Sequence, residues 1–216
     1  EDPDEPANSY DVLVVVNDPP VVDIPDQEIA EGTPEFTIIL DNFVSDPDTG
    51  DEFITWTYSG NNELSVDINN DTRVATITPP DLNWNGSETI TFTANDNEEH
   101  YPREGSDDVL FTVTPVNDAP VLANIESGNV EYTEGDDPVT ITSQITVADI
   151  DNDNLASAVV SITSNFNQGE DILSFTDANG ITGSYNQDEG VLELTGASSL
   201  ANYQSALRSV TYHNSN

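Results

Sequence analysis

The chain has 216 residues, with 42 Asp and Glu against 3 Lys and Arg, a formal net charge of −39 and no cysteine. That charge repels nucleic acid and anionic lipid surfaces and leaves divalent cations as natural counterions, while the missing cysteines exclude disulfides and Cys-based zinc or redox sites. A hydrophobic fraction of 35%, set in alternating runs, argues against the disorder that high net charge otherwise signals, and no run approaches the ~18–20 apolar residues of a membrane span.

In chain order, "DVLVVVNDPP" at 11–20 parallels "DVLFTVTPVNDAP" at 108–120. Residues 1–16 are therefore expected to be the last strand of a preceding repeat. Period-2 alternation then dominates the first hundred residues. In "FITWTY", Ile54, Trp56 and Tyr58 oppose Phe53, Thr55 and Thr57. In "ELSVDI", Leu64, Val66 and Ile68 share a face, and in "ETITFTA" Ile90, Phe92 and Ala94 oppose Thr89, Thr91 and Thr93. "DVLFTV" places Val109, Phe111 and Val113 together. Turn-rich stretches such as "SDPDTGDE" and "NNDT" separate these runs. Short strands at this spacing predict an all-β fold, an antiparallel sandwich of Ig-like or cadherin-like type.

From residue 117 onward, "NVEYT", "PVTITSQITV", "SAVVSIT", "DILSFT", "GVLELTG" and "SVTYH" read as strands. "ASSLANYQSALR" interrupts them: Leu200, Tyr203 and Leu207 fall at i, i+3 and i+7 behind Ser198 or Ser199 as N-cap, which predicts a short helix capping the core.

The two halves align. "VNDPP" at 16–20 returns as "VNDAP" at 116–120, Glu31 of "AEGT" as Glu134 of "TEGD", and Asp46 and Asp48 of "VSDPD" as Asp149 and Asp151 of "VADID". Motifs recurring in the same order mark an internal repeat of about one hundred residues. The expected domains are 17–116 and 117–216, the second without its closing strand.

"VNDPP" and "VNDAP", followed by Glu-Gly, Asp-x-Asp and the strand-closing "TANDN", resemble the cadherin-like tandem repeats of large bacterial surface adhesins. The stretch "LSFTDANGITGSYNQDEGVLELTGASSLANYQSALRSVTYHNSN" resembles a second cadherin-related repeat of the same adhesins. The resemblance implies Ca²⁺ at domain junctions. One junction would draw on Asn17, Asp18, Asp46, Asp48 and Asp96. The next would draw on Glu31, Asn117, Asp118, Asp149 and Asp151. The Leu-Asp-Arg-Glu motif of animal cadherins is missing, "PPDLNWNG" standing in its region. Independently of the family, Ca²⁺ is a hard ion taking about 6–8 oxygens, which carboxylates, Asn amides and carbonyls supply.

The expected function is a structural segment of an extracellular, cell-surface bacterial adhesin: a calcium-stiffened rod whose partners are neighbouring repeats of its own chain. Surface glycans or another copy are the further partners considered, with neither nucleic acid nor membrane insertion. A carbohydrate-binding accessory module of a polysaccharide-degrading enzyme is the alternative, favoured if Trp84 and Tyr101 share an exposed face. A filament or gliding adhesin subunit is another. "DIDNDN" begins like an EF-hand loop but has Asn154 in place of the turn glycine and Val160 in place of the bidentate Glu. No phosphate loop, zinc motif or nucleophile elbow is present, so no enzymatic activity is expected.

Overall fold

The computed structural model describes residues 16–216, so the expected strand over 1–16 lies, save for Val16, outside the described residues. Two compact units divide between Val116 and Asn117.

In the first unit the strands are β1 (Val21–Val22), β2 (Gln27–Ala30), β3 (Phe36–Ile39), β4 (Val44–Ser45), β5 (Thr55–Ser59), β6 (Ser65–Asn69), β7 (Val74–Thr78), β8 (Gly86–Asn95) and β9 (Glu104–Thr114). One sheet has the order β2-β9-β8-β5 and the other β3-β7-β6, with a β1-β4 ribbon beside them. Among the described residues every pairing is antiparallel except β2 with β9, which run parallel. Alternation does the folding: Ile90, Phe92, Ala94, Val109 and Phe111 turn inward and are at most 1% exposed. Phe111 packs between Phe36 and Phe92, with ring centroids 5.6 and 6.1 Å away. Each such aromatic contributes about 1.5–3 kcal/mol by leaving water.

The outer edge of β5 carries a device against stray pairing. The Asn70 side chain accepts from Trp56 N at 2.8 Å and donates to Trp56 O at 3.3 Å, occupying backbone groups that another strand would otherwise take. At the turn between β6 and β7, Arg73 holds a left-handed φ of 51° and pairs with Asp41 at 2.7 Å.

The second unit holds β10 (Val121–Ala123), β11 (Val139–Thr140), β12 (Thr146–Ala148), β13 (Asn154–Ser161), β14 (Asp171–Ser174), β15 (Thr182–Asn186), β16 (Val191–Ser199), α1 (Leu200–Ser209) and β17 (Thr211–Asn214). Its sheets are β11-β17-β14 and β13-β16-β15, with a β10-β12 ribbon. The helix forms where its periodicity predicts. Ser199 caps it by accepting from Asn202 N, and Tyr203, Ala206 and Leu207 are buried. Tyr203 donates to Gly196 O at 2.7 Å, and Arg208 reaches Ile145 O and Gln144 O at 2.8 and 3.1 Å. A Cβ at Gly196 would lie 2.1 Å from Gly180 O, so only glycine lets these backbones meet.

Two strand expectations are corrected. "NVEYT" (129–133) forms no strand among the described residues. "PVTITSQITV" is two short strands, β11 and β12, parted by a kink at 141–145 that Glu126 holds: its carboxylate accepts from Thr142 Oγ1, Ser143 N, Ser143 Oγ and Gln144 N.

Candidate cation site

At one end of the first unit the backbone leaves Val16, passes Asn17 and Asp18, and meets the Asp46–Thr49 turn and the end of β8. Asp46 Oδ1 accepts from Asp48 N at 2.8 Å and Thr49 N at 2.9 Å, folding Asp-Pro-Asp into a tight loop. Asp48 Oδ2 in turn accepts from Asp18 N at 2.8 Å. Asp96 is buried and accepts from Asn17 Nδ2, Arg103 N and Glu98 N at 2.8, 2.9 and 3.2 Å. Burial alone would raise its pKa, but the Arg103 N–H, the Asn17 amide and the Glu98 N–H outweigh that and hold it below the ordinary carboxylate range.

The structure thus brings Asn17, Asp18, Asp46, Asp48 and Asp96 into one hydrogen-bonded cluster. A pocket of about 390 Å³ opens beside it, lined in part by Asp48, Thr49, Asp96 and Glu98. Two oxygens of the cluster, Asp46 Oδ2 and Asn17 Oδ1, are buried without any hydrogen-bond partner among the described residues. Leaving a buried acceptor unsatisfied costs about 1–3 kcal/mol. A hard cation needs such oxygens, so the donor set fits Ca²⁺. Glu98 was not among the sequence candidates, although it accepts from Thr49 Oγ1 at 3.3 Å. The signal available was the run "NDNEEH", which continues the acids just past Asp96.

Glu31 stands at the other end of this unit. Its N–H bonds Thr114 O at the close of β9, whereas Asp96 N bonds Arg103 O just before β9 begins. Eleven residues of strand separate these points, about 36 Å. Glu31 is buried, its Oε2 accepts from Asn85 Nδ2 and Val116 N at 3.1 and 3.2 Å, and its Oε1 has no partner among the described residues.

The second unit repeats the loop. Asp149 Oδ1 accepts from Asp151 N at 3.0 Å and Asn152 N at 2.8 Å, and Asp151 Oδ2 accepts from Asp118 N at 2.5 Å. This is bond for bond the arrangement of Asp46, Asp48 and Asp18. Asn117 departs from Asn17: its Nδ2 donates to Asp118 O and its Oδ1 accepts from Asn152 Nδ2. The turns also match, Gly32 after Glu31 and Gly135 after Glu134 both having φ of 86°.

The aromatic pair does not share a face. Tyr101 is exposed beside Asn17, whose amide donates to Tyr101 O. Trp84 is half-buried against the core, next to the Asn85 that meets Glu31. They belong to opposite ends of the unit.

Residues 17–114 match the family model described as Bacterial Ig domain. The first unit is thus similar to bacterial Ig domains, a likeness that agrees with its two-sheet all-β fold. Among solved structures, the chain is similar to one described as "Structure of surface layer protein SbsC, domains 4-9", at 16% identity and a TM-score of 0.29. The similarity covers 84% of this chain and 27% of that one, so the chain spans about a quarter of that structure's length. No curated protein matches.

Proposed function

We propose that the chain is a structural repeat segment of an extracellular bacterial adhesin, in which Ca²⁺ at the domain junctions stiffens a rod that mediates cell-surface or cell–cell contact. Its role is mechanical, with no catalytic step. The observation that carries this reading is the acidic loop built twice with the same three hydrogen bonds, in the first copy beside Asp46 Oδ2 and Asn17 Oδ1, buried and without a partner among the described residues. Asp18, Asp46, Asp48, Asp96 and Asn17 would hold the ion in the first unit. Asp118, Asp149 and Asp151, with Asn117, are their candidates in the second, and Glu31 is the candidate at the far end of the first. The carbohydrate-module alternative would be favoured by Trp84 and Tyr101 on one exposed face, and it lacks that support.

The test is a calcium titration of thermal unfolding, with magnesium at equal ionic strength as control. Extracellular calcium modules bind at about 10⁻⁴–10⁻³ M, so the series should reach several millimolar. At tenfold excess over Kd, stabilisation is about 1.4 kcal/mol, a rise of several degrees for a unit of this size. Asp46→Asn/Asp48→Asn and Asp149→Ala/Asp151→Ala should each reduce the calcium-specific part. An equal response to both cations, unchanged in the variants, would reduce the acidic loops to solvated turns.

A further inference from the structure

The outer edge of β5 is only partly closed. β5 ends one sheet of the first unit and β6 ends the other, and a cleft of about 380 Å³ lies along them. Trp56, Tyr58, Val66, Asp67, Ile68 and Asn70 are among its lining residues. That volume suits a compact ligand.

Backbone groups of an edge strand point by turns toward the neighbouring strand and toward the open side. Trp56 N and O leave β5 by the open side, where Asn70 takes both, at 2.8 and 3.3 Å. Tyr58 stands two residues on, about 6.8 Å along the strand, so its N–H and C=O leave by the same side. Among the described residues nothing takes them, since the other neighbour of Tyr58, Phe92 of β8, lies across the opposite edge. Asn70 shows what docks on such a pair: an amide whose oxygen accepts and whose nitrogen donates. The chain fills the rung at Trp56 with its own amide and leaves the rung at Tyr58 to another. A whole strand is kept off by Asn70, whereas a small molecule carrying one amide is not.

The remaining walls narrow the class. Val66 and Ile68 are apolar and pack into the core, fit to receive a methyl group. Tyr58 is 39% exposed, so part of its ring is free to meet an apolar sugar face. Asp67 is an exposed carboxylate that can accept hydroxyl protons. Trp56 carries a buried indole N–H without a partner among the described residues, one more donor for an oxygen. An amide with a methyl, joined to a ring that has an apolar face and hydroxyl edges, is an N-acetylated amino sugar. Being uncharged, it is not repelled by the net charge of −39, as a uronic acid or a phosphate would be.

We infer that the β5–β6 flank of the first unit binds a neutral N-acetylated saccharide, one acetamido group pairing with the backbone of Tyr58. This inference goes beyond the calcium reading and does not rest on it, so binding is expected in a chelator.

The experiment is backbone NMR of the 216-residue chain in chelator, titrated with triacetylchitotriose and separately with cellotriose, which has a hydroxyl in place of each acetamido group. The expected result is a saturable shift of the Tyr58 amide at millimolar triacetylchitotriose, with binding of cellotriose about tenfold weaker. In a Trp84→Phe background Trp56 is the sole tryptophan, and its emission should follow the same curve. Tyr58→Ala, a change at a half-exposed side chain, should weaken binding several-fold. A Tyr58 amide that triacetylchitotriose leaves unmoved overturns the inference, as does equal binding of cellotriose or unchanged affinity in Tyr58→Ala. An equal response to the peptide Gly-Gln-Gly would also overturn it, because the edge would then read any amide.

Discussion

Asp171 is a buried acid of the second unit. It is 5% exposed and accepts from Asn167 N, Tyr212 OH and Asn214 Nδ2 at 2.7, 2.7 and 2.9 Å. Burial works to raise its pKa, yet the Tyr212, Asn167 and Asn214 bonds bring it below the ordinary range. Burial and the facing carboxylate push Tyr212 up to about 12. Asp171→Ala would orphan two side-chain donors and a backbone N–H, so equilibrium denaturation should register a loss of about 3 kcal/mol. Glu126 gives a pH prediction. The Ser143 N–H, the Thr142 hydroxyl and its own N–H lower its pKa from 4.5 to about 2, against a small effect of burial. A depressed folded pKa contributes stability above pH 4.5 that is lost as pH falls through about 2. A side-chain NMR titration should find Glu126 protonating near pH 2, and at higher pH in Thr142→Val. Both acids escaped the sequence for different reasons. Asp171 had a signal, being an acid in phase with inward Leu173 on an alternating strand. Glu126 had none, because its partners lie 16–18 residues away. The Asp-x-Asp pairs were legible because spacing alone determines an Asx turn. The unpartnered oxygens were not, since burial of single atoms depends on the folded neighbours.

Among the elements, long alternating runs were the most readable. β8 and β9 extend over ten and eleven residues and bury the predicted face throughout. The helix was equally plain, since cap and period agree. Ser199→Ala should lower the stability of the second unit by about 1 kcal/mol, measured by chemical denaturation, because Asn202 N loses its acceptor. "NVEYT" misled because alternation describes side chains, whereas a strand also needs a hydrogen-bonding neighbour. Its counterpart in the first unit, β2, is a strand by virtue of its parallel pairing with β9. "PVTITSQITV" misled because its alternation ignores the kink at 141–145 that the Glu126 side chain holds. The same logic makes the β5 edge stable in isolation: Asn70 supplies with one side chain the donor and acceptor that a neighbouring strand would bring.

Across the whole molecule, charge dominates behaviour in solution. A net −39 over 216 residues gives self-repulsion that any salt relieves, since the Debye length falls from about 30 Å at 0.01 M to about 3 Å at 1 M. The melting temperature should climb by about 5 °C or more as sodium chloride rises through that range, with the acidic-loop variants responding like the parent chain. That response separates general screening from the calcium effect, which saturates at millimolar concentration. The scarcity of cations has a further consequence, for proteolysis. Trypsin has three residues at which to cut, and the fold occupies the backbone or side chain of each. Arg73 sits in a left-handed turn with its guanidinium on Asp41, Arg103 is laddered through both backbone groups to Asp96, and Arg208 lies in a helix with its side chain on two carbonyls. Each scissile bond becomes accessible only when its own element opens. The three tryptic cuts therefore act as local clocks, reporting the opening of the β6–β7 turn, the start of β9 and the helix in one digestion time course.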